Sequence, residues 1–344
     1  MAVSSSVTER PQVSVVVPAR NEETSLGRCL ESLIGQTGVE KEILVVNDGS
    51  TDRTREIALS FPGVRVIDAP PLPAGWSGKS NAVVAGASAA VGEWLLFTDA
   101  DTFHLSGSLA RAMHEACEHD SALLSYSPEQ EVVTFWEKAV MPVIFAELAS
   151  VYRPAAVCDP NSPMAAANGQ YILIKRDIYQ TVGGHAAVSH TLLEDVALAR
   201  LVKSAGFRIR FRVGRGQVRA RMYRTFAELR EGWTKNLAVL FLSPMRLALR
   251  RAIEGILLYG ALGVGLVAAW RGQLRLGTGA IAIFTVLYGV FLKRIMKAHF
   301  LPVSSVLALV GLPIFSYLLA RSALCYKRGS VSWKGRNYPA ASAI

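Results

Sequence analysis

The sequence predicts an α/β protein in which a mostly parallel sheet is followed by membrane-spanning helices. From residue 13 to about residue 90, short apolar strand-like runs alternate with helix-like runs, which is typical of a parallel sheet with crossover helices. Beyond about Lys235 charged residues become rare, and residues 253–270, 276–292 and 301–320 form three nearly uncharged runs of roughly bilayer-spanning length. We therefore expect a polar folded part attached to a membrane.

The individual elements follow from local patterns in chain order. Apolar runs rich in β-branched residues predict strands at 13–17, 42–46, 64–69 and 93–98, and the intervening segments 23–34, 52–60 and 80–90 are typical of helices. Residues 105–119 then predict a helix and 121–127 a strand. Residues 137–152 form an apolar helical stretch interrupted by Pro142, which fits either a buried core helix or an interfacial helix lying on the membrane.

Composition excludes some classes of function. The four cysteines lie far apart without a Cys-x-x-Cys pair, which argues against a zinc site and a disulfide framework. The net charge is +10, and residues 208–224 alone contain seven arginines. A basic face beside membrane spans suits anionic lipid headgroups. No nucleic-acid module accompanies it, so we expect no nucleic-acid partner.

Polar residues follow three of the predicted strands at the point where each ends. Arg20 and Glu22 follow the first, Asp48 the second, and Asp99 and Asp101 the run that ends at residue 98. Ligands of open α/β sheets bind outside the carboxyl ends of the strands, so these residues should line one crevice. Two carboxylates one residue apart would share a strand face and could hold a divalent cation with positions left for diphosphate oxygens. The sequence thus predicts a nucleotide-type ligand with a metal.

Four segments in this order resemble the family 2 glycosyltransferases of the GT-A fold, a Rossmann-like fold with a mostly parallel sheet. They are VVVPARNEE (15–23), VVNDGSTD (45–52), FTDAD (97–101) and LED (193–195), and the resemblance covers about residues 12–236. It implies a nucleotide-sugar donor and Mg²⁺ or Mn²⁺, with Asp101 as the principal metal ligand and Asp99 contacting ribose or the metal. The remaining implied donor-binding residues are Pro18, Arg20, Glu22, Asp48 and Lys79.

The acceptor side is predicted from the second half of this region. Asn168 and Gly169 resemble the family's acceptor-side loop. Thr191-x-x-Glu194 matches a capping box at the start of a helix over 192–204, which competes with an acceptor-side role for Glu194. Asp195 lies about 100° further around that helix and needs no cap, so we expect it to be the general base.

Trp233 stands where many members of the family carry Gln-x-x-Arg-Trp. Leu229 and Gly232 occupy the matching positions of that motif, so only the tryptophan is retained. This departure favours transfer of a single sugar over polymer synthesis.

The resemblance extends to membrane-bound, lipid-directed members, such as carotenoid-, hopanoid- or ceramide-type glycosyltransferases, through the tail WKGRNY (333–338). It implies an inverting transfer of one hexose, most simply from UDP-glucose, to a lipid at the cytoplasmic face of the inner membrane. A polyprenyl-phosphate glycosyltransferase similar to dolichyl-phosphate-mannose synthase is the alternative, and a non-catalytic nucleotide-sugar sensor is a more distant one.

The expected organisation is a disordered start (1–11), a GT-A domain (12–245), a transmembrane region (246–325) and a basic tail (326–344). Basic residues at the start of the first apolar run and in the tail both favour the cytoplasmic side. Three crossings cannot satisfy both, so we expect two spans and a re-entrant or surface-lying segment containing Pro302 and Pro313.

Overall fold

The computed structural model describes residues 11–333 and 336–338, and the chain divides into two compact units. The sheet unit comprises the chain up to Glu131 together with Tyr152–Arg221, and the helical unit comprises Val132–Val151 and the chain from Met222 onward. Residues 1–10 of the predicted disordered start, and residues 334–335 and 339–344 of the predicted basic tail, lie outside the described part.

Strands alternate with helices up to β4, as the apolar pattern predicts. In chain order the strands are β1 (Val13–Ala19), β2 (Lys41–Asn47), β3 (Val64–Asp68), β4 (Trp94–Thr98), β5 (Thr102–His104), β6 (Leu123–Ser127), β7 (Glu129–Gln130), β8 (Tyr171–Lys175), β9 (Ile209–Val213), β10 (Val218–Ala220), β11 (Val331–Trp333) and β12 (Arg336–Tyr338).

The longest helices belong to the helical unit. In chain order they are α1 (Leu26–Ile34), α2 (Thr54–Leu59), α3 (Gly78–Ala89), α4 (Ser108–Glu118), α5 (Phe135–Val151), α6 (Pro154–Cys158), α7 (Arg176–Thr181), α8 (Glu194–Ser204), α9 (Phe226–Leu240), α10 (Pro244–Trp270), α11 (Leu274–Ile295) and α12 (Pro302–Lys327).

The main sheet has seven strands in the order β3-β2-β1-β4-β8-β6-β9, and only β8 runs antiparallel to its neighbours. The predicted mostly parallel sheet is confirmed. Ala19 lies opposite Asn47, and Val16 lies opposite Phe97. The chain therefore leaves β1, β2 and β4 at one edge of the sheet.

The sheet is covered on both faces, as its apolar strands require. Val13, Val15 and Val17 of β1 belong to one buried cluster, and Val16 belongs to the cluster on the other face. On that second face, a Cβ atom at Gly86 of α3 would overlap the Val16 side chain. The small residues of α3 thus let this helix lie directly on β1.

In the helical unit, α5 and α9–α12 share one apolar core. Within the described part of the chain, four helical segments are long and apolar enough to cross a membrane: Phe135–Cys158, Pro244–Trp270, Leu274–Ala298 and Pro302–Lys327. The sequence predicted three runs, and the additional segment contains α5, for which the sequence left two alternatives open. Helix α5 lies so close to α12 that a Cβ atom at Gly311 would overlap the Ala139 carbonyl oxygen.

Helix α12 contains Pro302 and Pro313 and is one continuous helix, so the re-entrant alternative for this run is wrong, while the surface-lying alternative stays a prediction. Pro313 has no N–H for the carbonyl of Leu309, four residues earlier. The Tyr259 hydroxyl of α10 donates to that carbonyl oxygen at 2.9 Å. A neighbouring helix thus satisfies the group that the proline leaves unpaired.

Candidate active site

The loops after β1 and β2 interlock at the edge of the sheet. Asn21 adopts a left-handed conformation with φ 52°, its N–H donates to Ser50 Oγ at 3.2 Å, and its Oδ1 accepts the Thr51 N–H at 2.9 Å. Arg20 Nη1 donates to the Asp48 carbonyl at 2.8 Å. These contacts hold Asp48 and the chain around Arg20 together at the carboxyl ends of β1 and β2, where the sequence predicts them.

Two further predicted donor-side residues belong to the same edge. Pro18 lies in β1 opposite Val46 of β2. The Glu22 N–H donates to Thr54 Oγ1 at the start of α2, at 2.7 Å. The negative charge of Glu22 helps to raise the pKa of Asp101, so the two carboxylates belong to the same region of the crevice.

Asp99 and Asp101 do not lie in the strand itself. Strand β4 ends at Thr98, and both carboxylates occupy the turn between β4 and β5. The premise that they share one face of a strand is therefore wrong, and the two carboxylates have different partners. Asp99 Oδ1 lies 2.6 Å from Lys79 Nζ, whereas Asp101 Oδ1 accepts a hydrogen bond from Gln170 Nε2 at 3.3 Å.

The surroundings of Asp101 disfavour its negative charge. Burial, followed by the charges of Asp99 and Glu22, raises its pKa well above the ordinary value, and Lys79 only partly opposes this. A bound cation would relieve this excess of negative charge. Among the described residues, no three His, Cys, Asp or Glu side chains group as a metal site. The residues fit a divalent cation held by one or two carboxylates and completed by substrate phosphate oxygens, as Mg²⁺ commonly is.

Lys79 lies between the Asp99–Asp101 turn and the start of α8. It is the second residue of α3, and the Ser77 side chain caps that helix by accepting the Ser80 N–H at 3.0 Å. Burial alone would lower the pKa of Lys79, but the neighbouring charges of Asp99, Glu194 and Asp195 raise it. The ammonium is therefore permanently charged, and its side chain is 33% exposed.

The capping box predicted for Glu194 is absent. Helix α8 begins at Glu194, its N-cap is Leu193, and no side chain caps it. Glu194 Oε1 lies 3.8 Å from Lys79 Nζ. The carboxylate is thus oriented toward a lysine from α3, and the expectation that the helix starts at 192 is wrong.

Asp195 is held by two backbone N–H groups. Its Oδ2 accepts from Gly169 at 2.8 Å and its Oδ1 accepts from Val196 at 2.8 Å. Burial and the charge of Glu194 raise its pKa to about 6, while Lys79 and the two N–H groups oppose this. A carboxylate with this pKa can accept a proton near neutral pH.

The loop 168–170 approaches both sides of the crevice. Asn168 Oδ1 accepts the Gln170 N–H at 3.0 Å, which closes a tight turn around Gly169. A Cβ atom at Gly169 would lie 2.9 Å from Lys79 Nζ and 3.5 Å from Asp195 Oδ2. A side chain at this position would therefore displace the Lys79 ammonium.

Gln170 was missed as a site residue in the sequence. Its side chain reaches Asp101, and its carbonyl accepts a hydrogen bond from Thr98 Oγ1 at 2.8 Å. The available signal was its position directly after Asn168-Gly169 and before a strand, since a side chain there returns to the same sheet edge.

Trp233 lies in the core of the helical unit and is 2% exposed. Its Nε1 donates to Met141 Sδ at 3.4 Å, and its ring packs edge-on against Phe145 and Tyr223. These contacts are structural, and the acceptor-side role stays a prediction.

The arginines of 208–224 are partly used within the fold. Arg210 and Arg212 pair with Glu115, and Arg219 pairs with Glu129 at 3.3 Å. Fewer of these arginines are therefore available for anionic headgroups than the sequence alone indicates. The contact with headgroups stays a prediction.

Carboxylates and a lysine at one edge of a mostly parallel sheet suit an enzyme of the nucleotide-sugar type, and comparison with known proteins identifies the class as glycosyltransferase. Residues 14–183 match the model of "Glycosyl transferase family 2", and this part of the chain belongs to that family.

The chain is also similar to individual known glycosyltransferases. The chain is 31% identical over 232 residues to the 4,4'-diaponeurosporenoate glycosyltransferase of Staphylococcus aureus, which is 66% of this chain and 60% of that protein. The chain thus spans less than two thirds of the length of this relative. The structure of a mannosyltransferase from Pyrobaculum calidifontis, in complex with GDP-Man and Mn²⁺, aligns with a TM-score of 0.51 at 18% identity and covers 92% of this chain and 87% of that one. That likeness shows that the two proteins share the GT-A fold.

Proposed function

We propose that this protein is a membrane-bound, inverting glycosyltransferase that moves one hexose from a nucleoside-diphosphate sugar to a lipid acceptor. The observation that carries the proposal is the arrangement around Lys79. Its ammonium lies 2.6 Å from Asp99, in the turn that also contains Asp101. The negative charge of Asp195 helps to raise the pKa of this ammonium. The turn proposed to bind the donor and the carboxylate proposed as the base thus lie on either side of one positive charge.

The donor side follows from the sheet edge. Asp48 and Glu22 would hold the nucleoside, and Lys79 would bind diphosphate oxygens. Asp101, with Asp99, would hold a divalent cation, which supplies charge stabilisation for the departing nucleoside diphosphate. The relative in complex with GDP-Man and Mn²⁺ supports this class of donor and cofactor. UDP-glucose is our first candidate donor, and Mg²⁺ or Mn²⁺ the cofactor.

The acceptor side follows from Asp195. An acceptor hydroxyl would attack the anomeric carbon on the face opposite the diphosphate, with its proton passing to Asp195 and the bond to the diphosphate oxygen breaking. One displacement of this kind inverts the anomeric configuration. The two N–H groups from Gly169 and Val196 hold the carboxylate in place throughout.

The lipid acceptor is supported by two independent features. Four helical segments among the described residues are long and apolar enough to cross a membrane, and the S. aureus relative carries the name of a 4,4'-diaponeurosporenoate glycosyltransferase. We infer a multi-pass protein of the inner membrane whose sheet unit lies in the cytoplasm. Arg246, Arg250 and Arg251 near the start of α10 agree with that orientation.

The test is to incubate the full chain, reconstituted in vesicles, with a panel of nucleotide sugars and a bacterial lipid extract. Mass analysis of the lipids should find a product that carries one added hexose. A glycosyl phosphate as the product would instead establish the polyprenyl-phosphate alternative. Nucleotide-sugar binding without any glycosylated lipid would favour a sensor.

A further inference from the structure

A buried polar cluster lies directly beneath the Asp99–Asp101 turn. His104 is 2% exposed, and its Nε2 lies 3.1 Å from Thr98 Oγ1 and 3.2 Å from Thr102 Oγ1. Both threonines are buried and their hydroxyl oxygens are 3.0 Å apart. We call Thr98, Thr102 and His104 the hydroxyl–imidazole cluster.

Each threonine hydroxyl holds one backbone carbonyl of the active site. Thr98 Oγ1 donates to the Gln170 carbonyl at 2.8 Å, and Thr102 Oγ1 donates to the Asp99 carbonyl at 2.7 Å. A hydroxyl has a single proton, so both protons are committed to these carbonyls. Neither hydroxyl retains a proton to donate to the imidazole.

This proton count determines the tautomer of His104. A bare Nε2 would face two hydroxyl oxygens without any proton between them, so Nε2 must carry the hydrogen and donate to both. Nδ1 is buried and has no hydrogen-bond partner among the described residues, which fits a bare nitrogen better than an orphaned donor. Burial lowers the pKa of His104 to about 3, so the ring stays neutral at physiological pH.

We propose that His104 is a positioning residue of the active site, whose single Nε2–H group fixes the Asp99–Asp101 turn and the Gln170 loop relative to each other through Thr98 and Thr102. The first branch runs through Thr102 and holds the turn that carries the donor-side carboxylates. The other sets the loop whose Gln170 side chain reaches Asp101 and whose Gly169 N–H holds Asp195. The inference rests on the proposed function, since it assigns these groups to donor and base.

The two branches predict separable kinetic effects. Thr102→Val removes the hydroxyl that holds Asp99 and should raise the donor KM with little change in kcat. Thr98→Val frees the Gln170 loop and should lower kcat, because the base is displaced. His104→Leu should show both effects, with kcat/KM reduced by a factor on the order of 10 to 100, as small misplacements of catalytic groups commonly cause.

His104→Gln is the matched control, because its carboxamide N–H can stand near the position of Nε2 and restore the donor. It should recover most of the loss seen in His104→Leu. Equal impairment of the two variants, or wild-type KM and kcat in His104→Leu, would overturn the proposal. If His104→Leu does not fold, the two threonine variants keep the test, since wild-type kinetics in both would also overturn it.

A second measurement does not depend on the transferase reaction. In the full chain with ¹⁵N-labelled histidine, the His104 signals, assigned by their loss in His104→Gln, should show a protonated Nε2 and a bare Nδ1 that do not titrate between pH 5 and pH 8. A protonated Nδ1, or a titrating ring, would refute the tautomer even if sugar transfer occurs. If the tautomer is correct but the wild type transfers no sugar, the proposed function fails instead.

Discussion

Replacing Lys79 with methionine tests the charge that joins the two sides of the crevice. Methionine keeps much of the length and the apolar stem of lysine while removing the ammonium that lies 2.6 Å from Asp99. Hydrogen bonds to charged groups contribute about 1.5–3 kcal/mol, and each 1.4 kcal/mol is about tenfold. If the ammonium makes one such contact with the donor diphosphate, kcat/KM for the nucleotide sugar should fall roughly 10- to 140-fold.

The assay is the initial rate of sugar transfer as a function of donor concentration at saturating acceptor. Lys175→Met is the matched control, because Lys175 lies opposite Trp94 at the start of β4, at the other edge of the sheet. Its ammonium faces the Trp94 ring at 5.7 Å, and its loss should leave kcat/KM unchanged. A Lys79→Met enzyme within twofold of the wild type would refute the role assigned to this lysine.

The other predictions concern the base, its neighbour and the helical unit. Asp195→Asn should leave donor binding near the wild-type value and lower turnover by a factor on the order of 10² to 10⁴, the usual contribution of a positioned general base; wild-type turnover would remove that assignment. Because the pKa of Asp195 is raised to about 6, the wild-type rate should fall as the pH drops through that value, since a protonated carboxyl cannot accept the proton. In a pH–rate profile, Glu194→Gln should move this acidic limb to lower pH, because it removes a negative charge that raises the pKa of Asp195. Lys79→Met should move the limb to higher pH, because it removes a positive charge that lowers the same pKa. Shifts in the same direction would contradict the scheme. Gly311→Ala should destabilise the detergent-solubilised protein by about 1–3 kcal/mol through overlap with the α5 backbone, whereas Gly289→Ala, with open space at its Cβ position, should not; thermal unfolding that ranks the two variants equally would contradict the close α5–α12 packing.

The fold and the place of the site could be predicted from sequence because both depend on short-range patterns. Apolar runs determine the strands, and parallel strands bring their carboxyl ends to one edge. Asp48, Asp99 and Asp101 follow such runs directly, so the sheet alone brings them to that edge. The connection of Arg20 to Asp48 by a hydrogen bond follows from the same geometry.

The local roles could not be predicted where a distant partner competes with a local one. Thr191-x-x-Glu194 is a sound capping pattern, yet Glu194 lies near Lys79, which arrives from another helix. A cap is worth only about 1 kcal/mol, so a charged partner from another helix can compete with it. The cluster around His104 was missed for the same reason, since only the folded chain brings Thr98 beneath the Gln170 carbonyl.

Apolarity alone could not assign α5 to its unit. A helix that is apolar on most of its surface can lie in a protein core, on a membrane or across it. The close approach of α5 to α12 at Gly311 packs one side of α5 against the core of the helical unit. No local pattern in either helix indicates that contact.

Calorimetric titration of the full chain with UDP and GDP, with and without Mn²⁺, tests most directly the claim that this crevice holds a nucleoside diphosphate with a divalent cation. We predict that one of the two nucleotides binds only when the metal is present, and that Asp101→Ala abolishes this metal-dependent binding. Gln170→Glu adds a carboxylate beside Asp101 and should retain it. Unchanged nucleotide affinity in Asp101→Ala, or binding of equal strength without metal, would contradict the account.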